Sequence, residues 1–297
     1  MNSKAYWRRL VIVSILAAGI SSTGYANIIH EQRSLYRNIL VSEDNNKRCM
    51  RFVVRERQST NQSCIYLDNS RNQVFDYTKL LTAALLVKPQ AQDILIVGLG
   101  GGTLPRTFHE LLPQAQITSV EIDPAVVKAA KQYFAYSENT QVHTVIQDAR
   151  VYIKRMLREG KRWDLIVLDA FNGDYIPEHL MTQEFLTEVK KSLKPNGMVA
   201  ANTFANSRLY QHESVTYESV FPHLAMFIST IGNRVLFAAE TPIAVPDANA
   251  AIDAWQNRLN PYGIDLASLF AMRREPNWNR DAKVLTDQYS PANLLNH

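Results

Sequence analysis

The stretch from Asp93 to Asp169 constrains the fold more than any other part of the chain. Asp93-Ile-Leu-Ile-Val97 is a short apolar run, the pattern of a strand buried on both faces of a parallel sheet. Gly98-Leu-Gly-Gly-Gly102 follows directly, and Thr103 to Leu112 then carries apolar residues at helical spacing. Strand, glycine turn and helix make the opening unit of a nucleotide-binding α/β domain. Three further strands are expected over 116–120, 142–146 and 164–168, and they lead into Glu121-Ile-Asp123, Gln147-Asp148-Ala149 and Asp169. Carboxylates at the C-terminal ends of successive parallel strands lie on the edge where such sheets bind ligands. The predicted class is therefore α/β: a Rossmann-like, mostly parallel sheet with helices on both faces.

The regions around this stretch set the domain organisation. Residues 27–88 read as a small antiparallel β-unit, with strands over 34–42, 48–57 and 63–68 and one helix from Phe75 to Val87. Residues 89–297 form the larger domain. Within it, Thr182 is the expected N-cap of a helix, and 225–230 with 234–239 are the arms of a hairpin.

Residues 1–26 look like a secretory signal peptide. Lys4, Arg8 and Arg9 precede an apolar run from Leu10 to Ile20, and Gly24 and Ala26 have the spacing of a cleavage site. The expected destination is the periplasm. The alternatives are an uncleaved anchor reaching about Ile29, which is short of the roughly 20 apolar residues a span wants, or a misread cytosolic start. Cys49 and Cys64 flank the predicted hairpin and are either one disulfide or two thiols on neighbouring strands. Neither zinc-ligand spacing nor clustered histidines occur, so no metal is expected. The net charge of +4 is modest and the basic residues are dispersed, so nucleic acid is not an expected partner.

A nicotinamide fingerprint would have its third glycine at Thr103. The run Gly98 to Gly102 with Glu121 and Asp123 suits an adenosyl ligand without a pyrophosphate better. Asp169 faces the ligand crevice or caps its turn. Asp148 binds ligand or caps the next helix. Tyr77 and Tyr175 are site residues or half-buried aromatics. Asn172 and Asp174 contact substrate or shape a loop. Glu178 and His179 read as surface or capping residues.

Together, Gly98-Leu-Gly-Gly-Gly102, Glu121-Ile-Asp123, Gln147-Asp-Ala149, Asp169-Ala-Phe-Asn-Gly-Asp-Tyr-Ile-Pro177 and Leu285-Thr-Asp-Gln-Tyr-Ser-Pro291 resemble the spermidine synthase (polyamine aminopropyltransferase) family, in its spermidine-synthase-like branch. The resemblance implies that Gly98, Gly100 and Gly102 line the nucleoside of decarboxylated S-adenosylmethionine. It implies that Glu121 holds the ribose, that Asp148 and Ala149 meet the adenine, and that Asp169 helps deprotonate an attacking amine. Tyr77, Asn172, Asp174 and Tyr175 would then stand on the amine side. A homo-oligomer through the N-terminal β-unit is among the partners considered, along with a small-molecule nucleoside and a polyamine. The chain departs from the pattern at Thr103, Asn172, Thr78-Lys79 and Arg37, all positions where the family contacts its ligands. Aminopropyl transfer to an amine is the leading expectation. Methyl transfer from S-adenosylmethionine and non-catalytic binding of a nucleoside or polyamine are the alternatives.

Overall fold

The computed structural model describes residues 26–53, 61–171 and 175–290. The expectations for residues 1–25 and for Asn172 and Asp174 lie outside the described residues. The chain begins with β1 (Asn27–Arg33), β2 (Asn38–Asp44), β3 (Lys47–Val53) and β4 (Asn61–Tyr66), followed by α1 (Asp76–Thr82) and α2 (Ala84–Val87). Strands and helices then alternate: β5 (Asp93–Val97), α3 (Thr103–Leu111), β6 (Gln116–Glu121), α4 (Pro124–Tyr133), β7 (Val142–Ile146), α5 (Ala149–Arg158) and β8 (Trp163–Leu168). After them come α6 (Gln183–Lys191), β9 (Leu193–Phe204), α7 (Tyr210–Val220), β10 (His223–Ile228), β11 (Asn233–Ala239), α8 (Ala248–Leu259), α9 (Leu266–Ala271) and β12 (Arg273–Arg274).

Strands β1 to β4 form an antiparallel sheet in sequence order. Ile39, Val41, Met50, Phe52 and Ile65 alternate onto one face and are buried against Ala125, Val126 and Ala129 of α4. Strand β1 was not expected from the sequence. Its residues are exposed or half-buried, so it carries little of the apolar alternation that marks a strand. Cys49 lies directly opposite Cys64 in the β3–β4 ladder, and the two are joined by a disulfide.

The single helix expected over 75–87 is broken at Ala83. The Thr82 hydroxyl donates back to the Thr78 carbonyl at 2.8 Å and accepts from the buried Gln73 amide at 2.9 Å. Such back-bonding bends a helix and competes with its continuation.

The large sheet runs β12-β10-β11-β9-β8-β5-β6-β7. The five strands β7, β6, β5, β8 and β9 are parallel, and the expected β10–β11 hairpin adds antiparallel strands beyond β9. Alternation along β5 divides the core. Ile94 and Ile96 face one layer with Leu80, Leu81 and Phe108, while Leu95 and Val97 face the other with Phe185 and Leu186. This is the α/β architecture expected from the sequence. Strand order reverses between β5 and β8, which opens a crevice at their C-terminal ends. The small sheet lies across that crevice, where the Gly101 amide donates to Ser63 Oγ at 3.0 Å and Arg48 donates to the Tyr133 carbonyl at 2.9 Å.

Candidate active site

A cavity of about 640 Å³ occupies the crevice. Gly98, Gly100, Glu121, Asp148, Ala149, Asp169 and Tyr77 all line it, so the fold gathers into one wall residues that the sequence scatters over 77–169. The glycine turn is forced open at its first position. Gly98 has φ +97°, and a Cβ there would lie 2.3 Å from the Asp169 carbonyl oxygen. Gly102 does not line the cavity, contrary to expectation. It caps α3 at φ +76°, and a Cβ there would fall 2.5 Å from the Tyr136 ring, so this glycine serves packing. Tyr175 is half-buried and lies outside the cavity wall. Thr103, at the start of α3, does line it.

Glu121 is held by its own turn. Its two carboxylate oxygens accept from the Leu99 amide at 3.1 Å and the Asp123 amide at 3.0 Å. Burial raises its pKa above the ordinary glutamate value, and these backbone donors and the Arg37 charge oppose the rise. A carboxylate fixed in this way has lone pairs left to accept from ribose hydroxyls. Asp123 goes elsewhere. It is fully buried, caps α4 through the Ala125 amide at 2.9 Å, and accepts from Ser34 Oγ.

Asp148 caps the next helix, one of its two readings, and also stands in the cavity wall. One oxygen caps α5 through the Val151 amide at 2.9 Å, and the other lies 2.9 Å from His179 Nε2. The His179 hydrogen bond is the main reason its pKa falls below the aspartate norm. His179 therefore stands in the cavity wall, not merely at the surface or a helix cap. Its place 31 residues from Asp148 hid that role from local reasoning.

Asp169 follows the buried strand β8 and is pinned by its amide to the Val97 carbonyl at 2.8 Å. Removal from water pushes its carboxyl up to about 7, and the Asn202 side chain, donating at 2.9 Å, pulls the other way. Asn202 in turn accepts from Asn233 at 3.1 Å. Sequence reasoning missed both asparagines, which also line the cavity. A signal was present: Asn202 is a polar residue inside the apolar run of β9, and buried polar groups have partners. Burial raises the Tyr77 pKa and the Asp169 charge raises it further, so the two groups share one electrostatic neighbourhood. Among the described residues no cluster of His, Cys, Asp or Glu could hold a metal ion, and no helix is long and apolar enough to cross a membrane.

Residues 74–233 match the family model described as the spermine/spermidine synthase domain. The chain is also 44% identical over 281 residues to a polyamine aminopropyltransferase of Vibrio vulnificus, an alignment covering 92% of this chain and 93% of that protein. The chain belongs to the spermine/spermidine synthase family. Methyltransferases are more distant relatives. The eEF1A lysine and N-terminal methyltransferase of Bos taurus is 30% identical over 64% of this chain and 29% of its own length. Among solved structures, a probable spermidine synthase from Corynebacterium glutamicum superposes with a TM-score of 0.64 at 21% identity, covering 86% of this chain and 97% of that one, and it supports the fold. Human methyltransferase-like protein 13 in complex with SAH gives 0.52 at 25% identity, covering 73% and 95%.

Proposed function

We propose that this family member transfers an aminopropyl group from decarboxylated S-adenosylmethionine to an amine acceptor. The observation that carries this reading is Asp169: a carboxyl lifted to about 7, beside Tyr77, in the same cavity as Gly98, Glu121 and Asp148. An amine acceptor is protonated at neutral pH and its ammonium cannot attack carbon. The Asp169 carboxylate binds that ammonium and accepts its proton. The amine nitrogen then bonds to the propyl carbon as the carbon–sulfur bond breaks, leaving neutral methylthioadenosine. Glu121 and the Gly98 turn hold the nucleoside while this happens. The sulfonium is already a good leaving group, so the step needs no Lewis acid.

A second reading is methyl transfer from S-adenosylmethionine. It is favoured by Thr103, a neutral hydroxyl in the cavity wall where the chain departs from the family pattern, and by the methyltransferases among the relatives. Release of methylthioadenosine from the decarboxylated donor, with putrescine, spermidine or cadaverine as acceptor, tests the first reading. Asp169→Asn should lower that turnover by about 10²–10⁴-fold and leave methylthioadenosine affinity nearly unchanged. Release of S-adenosylhomocysteine from the undecarboxylated donor would support the second. Nucleoside binding with no turnover of either donor would leave a binding protein.

We further propose that residues 1–26 direct export to the periplasm, so that the mature chain starts at Asn27. The support is the basic, apolar, Gly24-x-Ala26 order. Intact mass of the exported protein tests it.

A further inference from the structure

Two arginines, Arg37 and Arg51, line the cavity. The Arg37 side chain is only 7% exposed. Its guanidinium lies 4.2 Å over the Phe52 ring and donates to the Phe171 carbonyl at 3.0 Å, yet its Nε is buried without a hydrogen-bond partner. Asp123 lies 4.0 Å from it, close enough to pair with the charge but too far to accept a hydrogen bond from Nε. Arg51 donates to the neutral Ser42 hydroxyl at 2.8 Å, and its Nε is likewise buried and unpartnered. Buried N–H groups of a guanidinium are rarely left without an acceptor.

The acids in the same wall each accept from protein donors. Glu121 accepts from two backbone amides, Asp148 from Val151 and His179, and Asp169 from Asn202. Thr103 adds only a hydroxyl. Among the described residues the wall thus offers two buried guanidinium N–H groups that no protein acceptor answers. A guanidinium presents a fork of N–H groups that matches a carboxylate, and such charge-assisted bonds are about twice as strong as neutral ones. A ribose hydroxyl could answer one of these nitrogens but offers a single neutral oxygen, whereas a carboxylate offers two charged ones.

We propose that Arg37 and Arg51 hold a carboxylate of the ligand, a group that decarboxylated S-adenosylmethionine and simple polyamines lack. This rests on the reading of the cavity as the nucleoside site. The carboxylate comes from one of two sources: the amino-acid tail of an undecarboxylated donor, or an acceptor amine that is itself an amino acid.

Calorimetry with matched pairs separates these sources. The donor pair is S-adenosylhomocysteine and its decarboxylated counterpart. The acceptor pairs, measured with methylthioadenosine saturating, are ornithine with putrescine and lysine with cadaverine. In one arm the carboxylate-bearing member should bind at least about tenfold more tightly. Arg51→Gln should shrink that preference below about threefold and leave methylthioadenosine affinity unchanged, which also shows that the variant is folded. Arg51→Lys keeps the charge but not the fork, and should fall between them. Methylthioadenosine binding with no carboxylate preference in either arm overturns this proposal alone, as does a preference that survives Arg51→Gln. Failure of methylthioadenosine to bind removes the nucleoside reading and this proposal together.

Discussion

Asn202 Nδ2 donates to Asp169 Oδ1 across 2.9 Å, joining the end of β8 to the C-terminal part of β9. The donor favours the ionised carboxylate, and burial opposes it. The balance places Asp169 at about 7, where it can take a proton from an ammonium and release it again. Removing the donor in Asn202→Ala should shift that balance upward. A net hydrogen bond of about 1 kcal/mol corresponds to roughly 0.7 of a pK unit. The acidic limb of kcat/KM for methylthioadenosine release should lie near pH 7 in the parent and move up by about that amount in the variant. A lower rate with an unmoved limb would show that another group titrates.

The same carboxyl makes stability depend on pH. Its folded pKa of about 7 lies above the ordinary value of 3.8, so the folded chain binds this proton more tightly than the unfolded chain. Its favourable contribution is complete below about pH 4 and is lost as pH rises through 7. Asp169→Asn cannot ionise and escapes that loss. The stability of the variant relative to the parent should therefore rise between pH 4 and pH 8, by at most about 4 kcal/mol at about 1.4 kcal/mol per pK unit. Urea unfolding at several pH values measures it. A difference that does not change with pH would place the Asp169 pKa near its ordinary value.

Glu121 accepts from the amides of both Leu99 and Asp123. Glu121→Gln keeps the shape but turns one acceptor into a donor facing an N–H. We expect methylthioadenosine affinity to fall by about 1–3 kcal/mol, read by calorimetry. Unchanged affinity would place the nucleoside away from this turn.

Cys49 and Cys64, 15 residues apart, close a loop whose Arg51, Phe52 and Ser63 line the cavity. A loop of that size is worth about 3 kcal/mol in the chain-entropy model. The double serine variant should lose about that much in urea unfolding. Thiol titration of the unfolded, unreduced protein should find no free thiol, whereas two would show that the bridge does not form.

How much of this was legible in the sequence differs from residue to residue. Strand β5, the glycine turn and α3 follow from local pattern, because strand alternation, helical spacing and positive φ are each set within a few residues. The carboxylates of Glu121, Asp148 and Asp169 could be placed at strand ends for the same reason. The roles of individual glycines could not, since Gly98 meets the Asp169 carbonyl and Gly102 meets Tyr136 only after the chain has packed.

The amino-acid sequence by itself determined the α/β class, the edge of the sheet that bears the site, and the acids that stand there, because these depend on short-range periodicity. Tertiary structure alone decided the distant partners of those acids. His179 reaches Asp148 from 31 residues away, Asn202 reaches Asp169 from 33, and the small sheet brings Arg37 to the Phe171 carbonyl from 134. Such partners are chosen by how sheets and turns pack in space, and the carboxyl of Asp169 is lifted to about 7 by the burial that this packing creates.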